Sequence, residues 1–276
     1  MKKQSLAVTV VLLVLLSMTA MAANAPQQAK TGLPPQNGKI SRSGDPGLAG
    51  DPGANRYDQQ IQQAVGQKTQ KVRQLRNVSS TVEDGIVTLT GTVGLYQDKL
   101  DAANKVKKIA NVAGVRNDIV VAGANAPDSQ LQQKLAKQLA YDRVGYFDNA
   151  FNYIAVTVKD GVVTLTGDAY WSVPSDDAVA IAARTPGVKD VVNEVKVLPT
   201  STFDDSIRMR TARAIYRDSV LGRYAIDPAK PIRIVVDNGH VTLYGTVQRA
   251  MDKTIAGMRA GSVPGAFSVE NKLVVD

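Results

Sequence analysis

The sequence predicts an α/β chain, α+β in arrangement: three tandem small α-β-β-α-β domains, each a three-stranded mixed sheet with two helices on one face, following a signal peptide and a disordered spacer. Three recurrences predict it. Asp84-Gly85-Ile86-Val87-Thr88-Leu89-Thr90-Gly91 returns as Asp160-Gly161-Val162-Val163-Thr164-Leu165-Thr166-Gly167 and again as Asn238-Gly239-His240-Val241-Thr242-Leu243-Tyr244-Gly245, 76 and then 78 residues apart. A second marker follows each copy: Val112-Ala113-Gly114-Val115, Thr185-Pro186-Gly187-Val188 and Val263-Pro264-Gly265-Ala266. A Val-rich stretch with strand character closes each unit, and self-similarity at a fixed period is the signature of a repeat protein.

The elements follow in chain order. Met1-Lys2-Lys3 precedes an apolar run, 6–16, and then small residues with an Ala20-Met21-Ala22 site. A basic start, a short apolar core and an A-x-A site describe a secretory signal peptide over 1–22; an uncleaved membrane anchor is the alternative. Residues 23–56 are rich in Pro and Gly and lack aromatics, a composition that cannot bury enough apolar surface to offset ordering, so this spacer is expected to be disordered. The repeats are bounded at 57–123, 128–199 and 201–276.

Within each repeat, Asp-Gly or Asn-Gly between extended runs marks a hairpin, because a type I′ turn needs positive φ at both central residues. Its first strands are 78–83, 154–159 and 232–237. The apolar stripe Leu131, Leu135 and Leu139 precedes the second hairpin, and Ile207, Thr211, Ala214 and Ile215 precede the third, each at helical spacing. A second helix, about 97–110 in the first repeat, follows the hairpin. The closing strands are expected at 118–121, 191–198 and 268–275. A strand–helix–strand passage favours a parallel, right-handed crossover, which makes each sheet mixed.

This pattern, DG[IV]VTLTG followed about twenty residues on by a glycine marker and a Val-rich strand, resembles the BON domain. The match covers about 57–276 in three copies, with Asn238, His240, Tyr244 and Ala266 as departures in the third. The resemblance implies an α/β fold, no catalysis, a periplasmic location, and roles in envelope integrity or osmotic and stress response through contact with phospholipid or envelope proteins.

Composition narrows the chemistry independently. The chain has 276 residues, no cysteine and one histidine, His240, which excludes disulfides, thiolate chemistry and a multi-histidine metal site. No EF-hand loop, phosphate-loop spacing or nucleophile–base set is present, so no enzyme, cofactor, metal or small-molecule substrate is expected. The glycines Gly85, Gly91, Gly114, Gly161, Gly167, Gly187, Gly239, Gly245 and Gly265 read as structural turn residues. His240 occupies the place of Ile86 and Val162 and reads as a surface or sheet residue.

The net charge of +8 falls to +6 without residues 1–22 and is uneven: +3, −2 and +3 over the three repeats. An acidic middle repeat argues against a continuous nucleic-acid surface. Arg210, Arg213 and Arg217 lie at i, i+3 and i+7, one helical face, and planar guanidinium groups suit phosphate oxygens. Anionic phospholipid headgroups are the expected contact, with Asp204, Asp205 and Asp218 available to neutralise the stripe instead. Lys105 and Lys108 form a weaker basic face. Tyr170-Trp171, at the start of the second helix of repeat two, reads either as an interface pair or as a half-buried cap. The alternative function is a periplasmic chaperone or adaptor that binds client proteins through apolar edges.

Overall fold

The computed structural model describes residues 52–142, 149–227 and 229–276; the expected signal peptide and residues 23–51 of the spacer lie outside them. The first helix, α1 (Pro52–Gln70), begins inside the stretch expected to be disordered, so residues 52–56 are helical rather than spacer. Repeat one continues with β1 (Val78–Glu83), β2 (Ile86–Val93), α2 (Tyr96–Lys107), β3 (Gly114–Asn117) and β4 (Val120–Val121). Repeat two comprises α3 (Asp128–Tyr141), a 3-10 turn at Asn149–Phe151, β5 (Tyr153–Lys159), β6 (Val162–Ala169), α4 (Ser172–Arg184) and β7 (Asp190–Val197). Repeat three comprises α5 (Thr202–Tyr216), a 3-10 turn at Leu221–Ala225, β8 (Arg233–Asp237), β9 (His240–Tyr244), β10 (Thr246–Val247), α6 (Ala250–Gly261), β11 (Ser268–Asn271) and β12 (Val274–Val275).

The main sheet of each repeat is mixed, with the second hairpin strand central, and β10 with β12 forms a separate two-stranded parallel ladder in repeat three. β1 pairs β2, β5 pairs β6 and β8 pairs β9 antiparallel. The closing strand adds parallel to the second: β3 and β4 to β2, β7 to β6, β11 to β9 and β12 to β10. Alternation sends Val87 and Leu89, Val163 and Leu165, Val241 and Leu243 to the helix side, where each repeat has its own core.

The hairpin turns carry positive φ at both central residues: 51° and 75° at Asp84-Gly85, 54° and 80° at Asp160-Gly161, 50° and 80° at Asn238-Gly239. Gly91, Gly167 and Gly245 are not turn residues. Gly91 and Gly167 sit within β2 and β6, and Gly245 separates β9 from β10; a Cβ at these positions would stand 2.0, 2.1 and 2.9 Å from the carbonyls of Asn77, Tyr153 and Pro231. Gly114 is not a turn residue either. It opens β3 opposite Ile86, where Asp190 stands opposite Val162 and Ser268 opposite His240. Register therefore places Asn111, with φ of 66°, at the position of Gly187 and Gly265. Asparagine tolerates the left-handed region, so the turn survives without glycine, and β3 starts four residues before the expected strand at 118.

The closing strand breaks in repeats one and three. Asn117 and Asn271 turn their side-chain oxygens back to accept from Ile119 N (3.4 Å) and Leu273 N (3.3 Å), dividing β3 from β4 and β11 from β12. Asn193 accepts from Val195 N in the same way (3.2 Å) while β7 remains continuous.

Repeats two and three pack closely. Tyr153 and Tyr244 stack with centroids 3.8 Å apart, and Lys196 pairs with Asp237 at 2.5 Å. Arg233 donates to the carbonyls of Asn149 (2.7 Å) and Asn152 (3.1 Å), and Phe151 enters the core of repeat three. Val235 alternates to the sheet's helix-free side yet is only 3% exposed. Repeats one and two share Tyr96, which packs against both cores. Burial, with Asp190 beside it, pushes its phenol up to about 12.

Candidate basic and aromatic surface of the third repeat

Helix α5 starts at Ser201, whose hydroxyl accepts from Asp204 N at 3.2 Å, an N-cap bond that satisfies one of the first-turn donors. Ile207, Thr211 and Ile215 are buried beneath the helix. Beside that buried row the helix presents Phe203, Arg210, Arg213 and Arg217, all exposed; Phe203, Arg210 and Arg217 are seven residues apart and so share a stripe. Arg210 donates to the Pro264 carbonyl at 3.2 Å, which holds its stem against the loop after α6. Among the described residues Arg213 and Arg217 form no ion pair.

The nearby acids are occupied elsewhere. Asp204 is buried and accepts from the amides of Asn238 (3.1 Å) and Gly239 (2.8 Å) in the hairpin turn. Asp205 pairs with Arg208 at 2.5 Å. Asp218 accepts from Val220 N and Leu221 N and pairs with Arg259 at 2.8 Å; these amide bonds first, then Arg259, hold its carboxyl below the usual range. Among the described residues, therefore, these three carboxylates do not neutralise the stripe.

The same end of the repeat carries an aromatic pair that the sequence did not single out. Phe203, 46% exposed, and Phe267, 70% exposed, lie with centroids 5.7 Å apart. Their rings cover Gly239, where a Cβ would meet Phe267 at 2.6 Å. His240 is exposed, meets Phe267 edge-on at 6.1 Å and shares a 2.7 Å hydrogen bond with Ser268 Oγ. Phe203 falls at the exposed start of a helix and Phe267 two residues past a marker glycine, places where sequence periodicity carries no signal.

The other aromatic candidates lie elsewhere. Tyr170 faces the buried guanidinium of Arg208, 4.5 Å from the ring centroid, and packs against the core of repeat three. It is a junction residue rather than part of the stripe. Trp171, at the N-cap of α4, is 46% exposed. Lys108 is exposed and Lys105 half-buried on α2 and its C-cap.

Two further residue sets recur in all three repeats. Asp58 and Asp128 each accept from both turn amides, at 3.0 and 2.8 Å and at 2.7 and 2.9 Å, as Asp204 does. Asn117, Asn193 and Asn271 donate to Lys99 O (2.7 Å), Ser175 Oγ (3.0 Å) and Lys253 O (2.7 Å), tying the closing strand to the second helix. Both are scaffold bonds. In repeat three Asp252 is fully buried, accepting from Tyr224 OH at 2.7 Å and pairing with Arg223 and Arg249. Burial alone would raise its carboxyl, but these partners hold it below the usual range. Among the described residues no cluster of three or more His, Asp or Glu side chains is placed to hold a metal, and no helix is long and apolar enough to cross a membrane.

The BON domain family model matches residues 57–123, 127–199 and 211–276. The third match begins inside α5, although the helix that completes that repeat starts at Thr202. No curated protein matches the chain. Among solved structures, the chain is similar to CdsD, a structural protein of the type III secretion system of Chlamydia trachomatis. There the identity is 16%, with 80% of this chain and 92% of that one covered at a TM-score of 0.23. It is also similar to the PrgH periplasmic domain at 10% identity, with 73% and 96% covered and a TM-score of 0.20. At these scores the likenesses bear on neither architecture nor role.

Proposed function

This chain belongs to the BON domain family, with three copies of the domain, and we propose that it is an exported, non-enzymatic protein that binds anionic phospholipid surfaces and so supports the cell envelope. The observation that carries this reading is the stripe of Arg210, Arg213 and Arg217, without acidic partners among the described residues and continued along the helix by Phe203, which pairs with the exposed Phe267. Cations near an anionic bilayer contribute about 1 kcal/mol each, screened by salt. Aromatic rings suit the interface between headgroups and acyl chains. Arginine adds geometry, because its planar fork takes two phosphate oxygens at once.

Export rests on residues 1–22 and on the family. Co-sedimentation with vesicles tests the reading. Phosphatidylglycerol vesicles are expected to carry the protein down and phosphatidylcholine vesicles to leave it in solution; equal binding to both overturns the proposal. Binding that persists in high salt and is unchanged by Arg210→Ala, Arg213→Ala and Arg217→Ala together points instead to apolar capture of client proteins.

A further inference from the structure

The first strand of each sheet is an outer strand, so every second residue along it turns its N–H and C=O away from the sheet. Parity is set in repeat one, where Thr92 N donates to Asn77 O at 3.3 Å. The odd positions of β1 therefore face β2, and Val78, Ser80 and Val82 face outward. Gly91, Gly167 and Gly245 lie over the equivalent carbonyls of Asn77, Tyr153 and Pro231, so the outward residues are Ile154, Val156 and Val158 in repeat two and Ile232, Ile234 and Val236 in repeat three.

Repeats one and three cap this edge with side chains from their first helix. Gln62 donates to Ser80 O at 2.9 Å. Tyr216 donates to Ile232 O at 2.5 Å, and Arg208 donates to Val236 O at 2.7 Å. Counted from the turn-binding aspartate of each repeat, Tyr216 corresponds to Ala140 and Arg208 to Gln132. In repeat two no side chain among the described residues caps Ile154, Val156 or Val158. A cleft of about 480 Å³ opens there instead, lined by Ala136, Leu139 and Ala140 of α3, by Ile154 and Val156, and by Lys230 of repeat three. Where repeat three has a tyrosine, alanine leaves space, and the edge at Ile154 and Val156 has no side-chain cap among the described residues.

We propose that this cleft takes an extended peptide segment of a partner protein as a fourth strand beside β5, with alternate small apolar side chains against α3 and an acidic residue at Lys230. Main-chain bonds to Ile154 and Val156 supply affinity, and the α3 wall selects side chains on one face. Lys230 is exposed and forms no ion pair among the described residues, which supplies the charge complement. Asp142 and Asp276 also line the cleft, so the acidic residue is specific to the Lys230 end. This surface is separate from the α5 stripe and does not depend on lipid binding.

The test titrates the full chain with the peptide acetyl-Glu-Val-Thr-Val-Thr-Val-amide and follows backbone amides by NMR and hydrogen exchange. Protection at Ile154 and Val156 is expected. A peptide N-methylated at the amides facing β5 is expected to bind about tenfold more weakly, the loss of about one net hydrogen bond or more, as is the Ala140→Tyr protein, which restores the capping residue of repeat three. Replacing the peptide's Glu with Gln is expected to weaken binding in the native chain and to have no effect in Lys230→Ala. Absence of protection at Ile154 and Val156, or equal binding of the N-methylated peptide, overturns the proposal. Because the N-methylated peptide leaves the protein unchanged, the result does not hinge on whether Ala140→Tyr folds.

Discussion

Asp128 shows how much one side chain organises. Its two oxygens accept from Asp160 N and Gly161 N, amides that a type I′ turn would otherwise leave to water, and this fixes α3 against the hairpin. Bonds from an ionised acceptor are the stronger kind, so Asp128→Ala is expected to cost about 2–3 kcal/mol in urea unfolding, with faster exchange at Gly161. Asp252 gives a pH-dependent case. Its carboxyl titrates below the usual range, so its contribution is fully present above the unfolded value and is lost as pH falls through the lowered folded value. Unfolding free energy measured from neutral to acidic pH should therefore fall less steeply in Asp252→Asn than in the native chain, once both are referred to their neutral-pH values. The aspartates were not legible in the sequence, because they stand 26, 32 and 34 residues before their turns and no fixed spacing marks them.

Elements were legible wherever a backbone requirement left a residue signature. The Asp-Gly and Asn-Gly turns, the strand alternation and the Leu131–Leu135 stripe each report a local rule, and the corresponding hairpins and helices formed. The closing strand of repeat one was misplaced because Gly114 resembled the marker glycines while Asn111 did their work. If the left-handed turn at 111 is what matters, Asn111→Gly should be neutral or stabilising, and Asn111→Val should cost about 1–2 kcal/mol, since β-branched residues resist positive φ. Thermal unfolding of the two variants separates them. The strand breaks after Asn117 and Asn271 were likewise hidden, because they arise from side chains that bond to their own backbone.

At the scale of the whole molecule, the junctions between repeats decide what is exposed. The Tyr153–Tyr244 stack and the Arg233 bonds join repeats two and three, positions where the first repeat has Asn77, Thr90 and Ser79 and so lacks these groups. A double-mutant cycle on Tyr153→Ala and Tyr244→Ala should give a coupling of about 0.5–1.5 kcal/mol, as aromatic pairs do beyond their burial. Tyr170 is used in this junction, which removes it from the candidate surface, whereas Arg210, Arg213 and Arg217 remain exposed and unneutralised because Asp204, Asp205 and Asp218 serve the fold. The arginine spacing was visible in the sequence; the freedom of the stripe was not, since it depends on where three carboxylates turn.

Vesicle partitioning measures that freedom directly. With phosphatidylglycerol vesicles at low salt, Arg210→Ala, Arg213→Ala and Arg217→Ala combined should lower the partition coefficient by roughly a hundredfold, from about 1 kcal/mol for each cation. Phe203→Ala with Phe267→Ala should weaken binding while preserving its salt dependence. An unchanged partition coefficient in the arginine variant, with the fold intact by circular dichroism, would contradict the assignment of this surface to lipid.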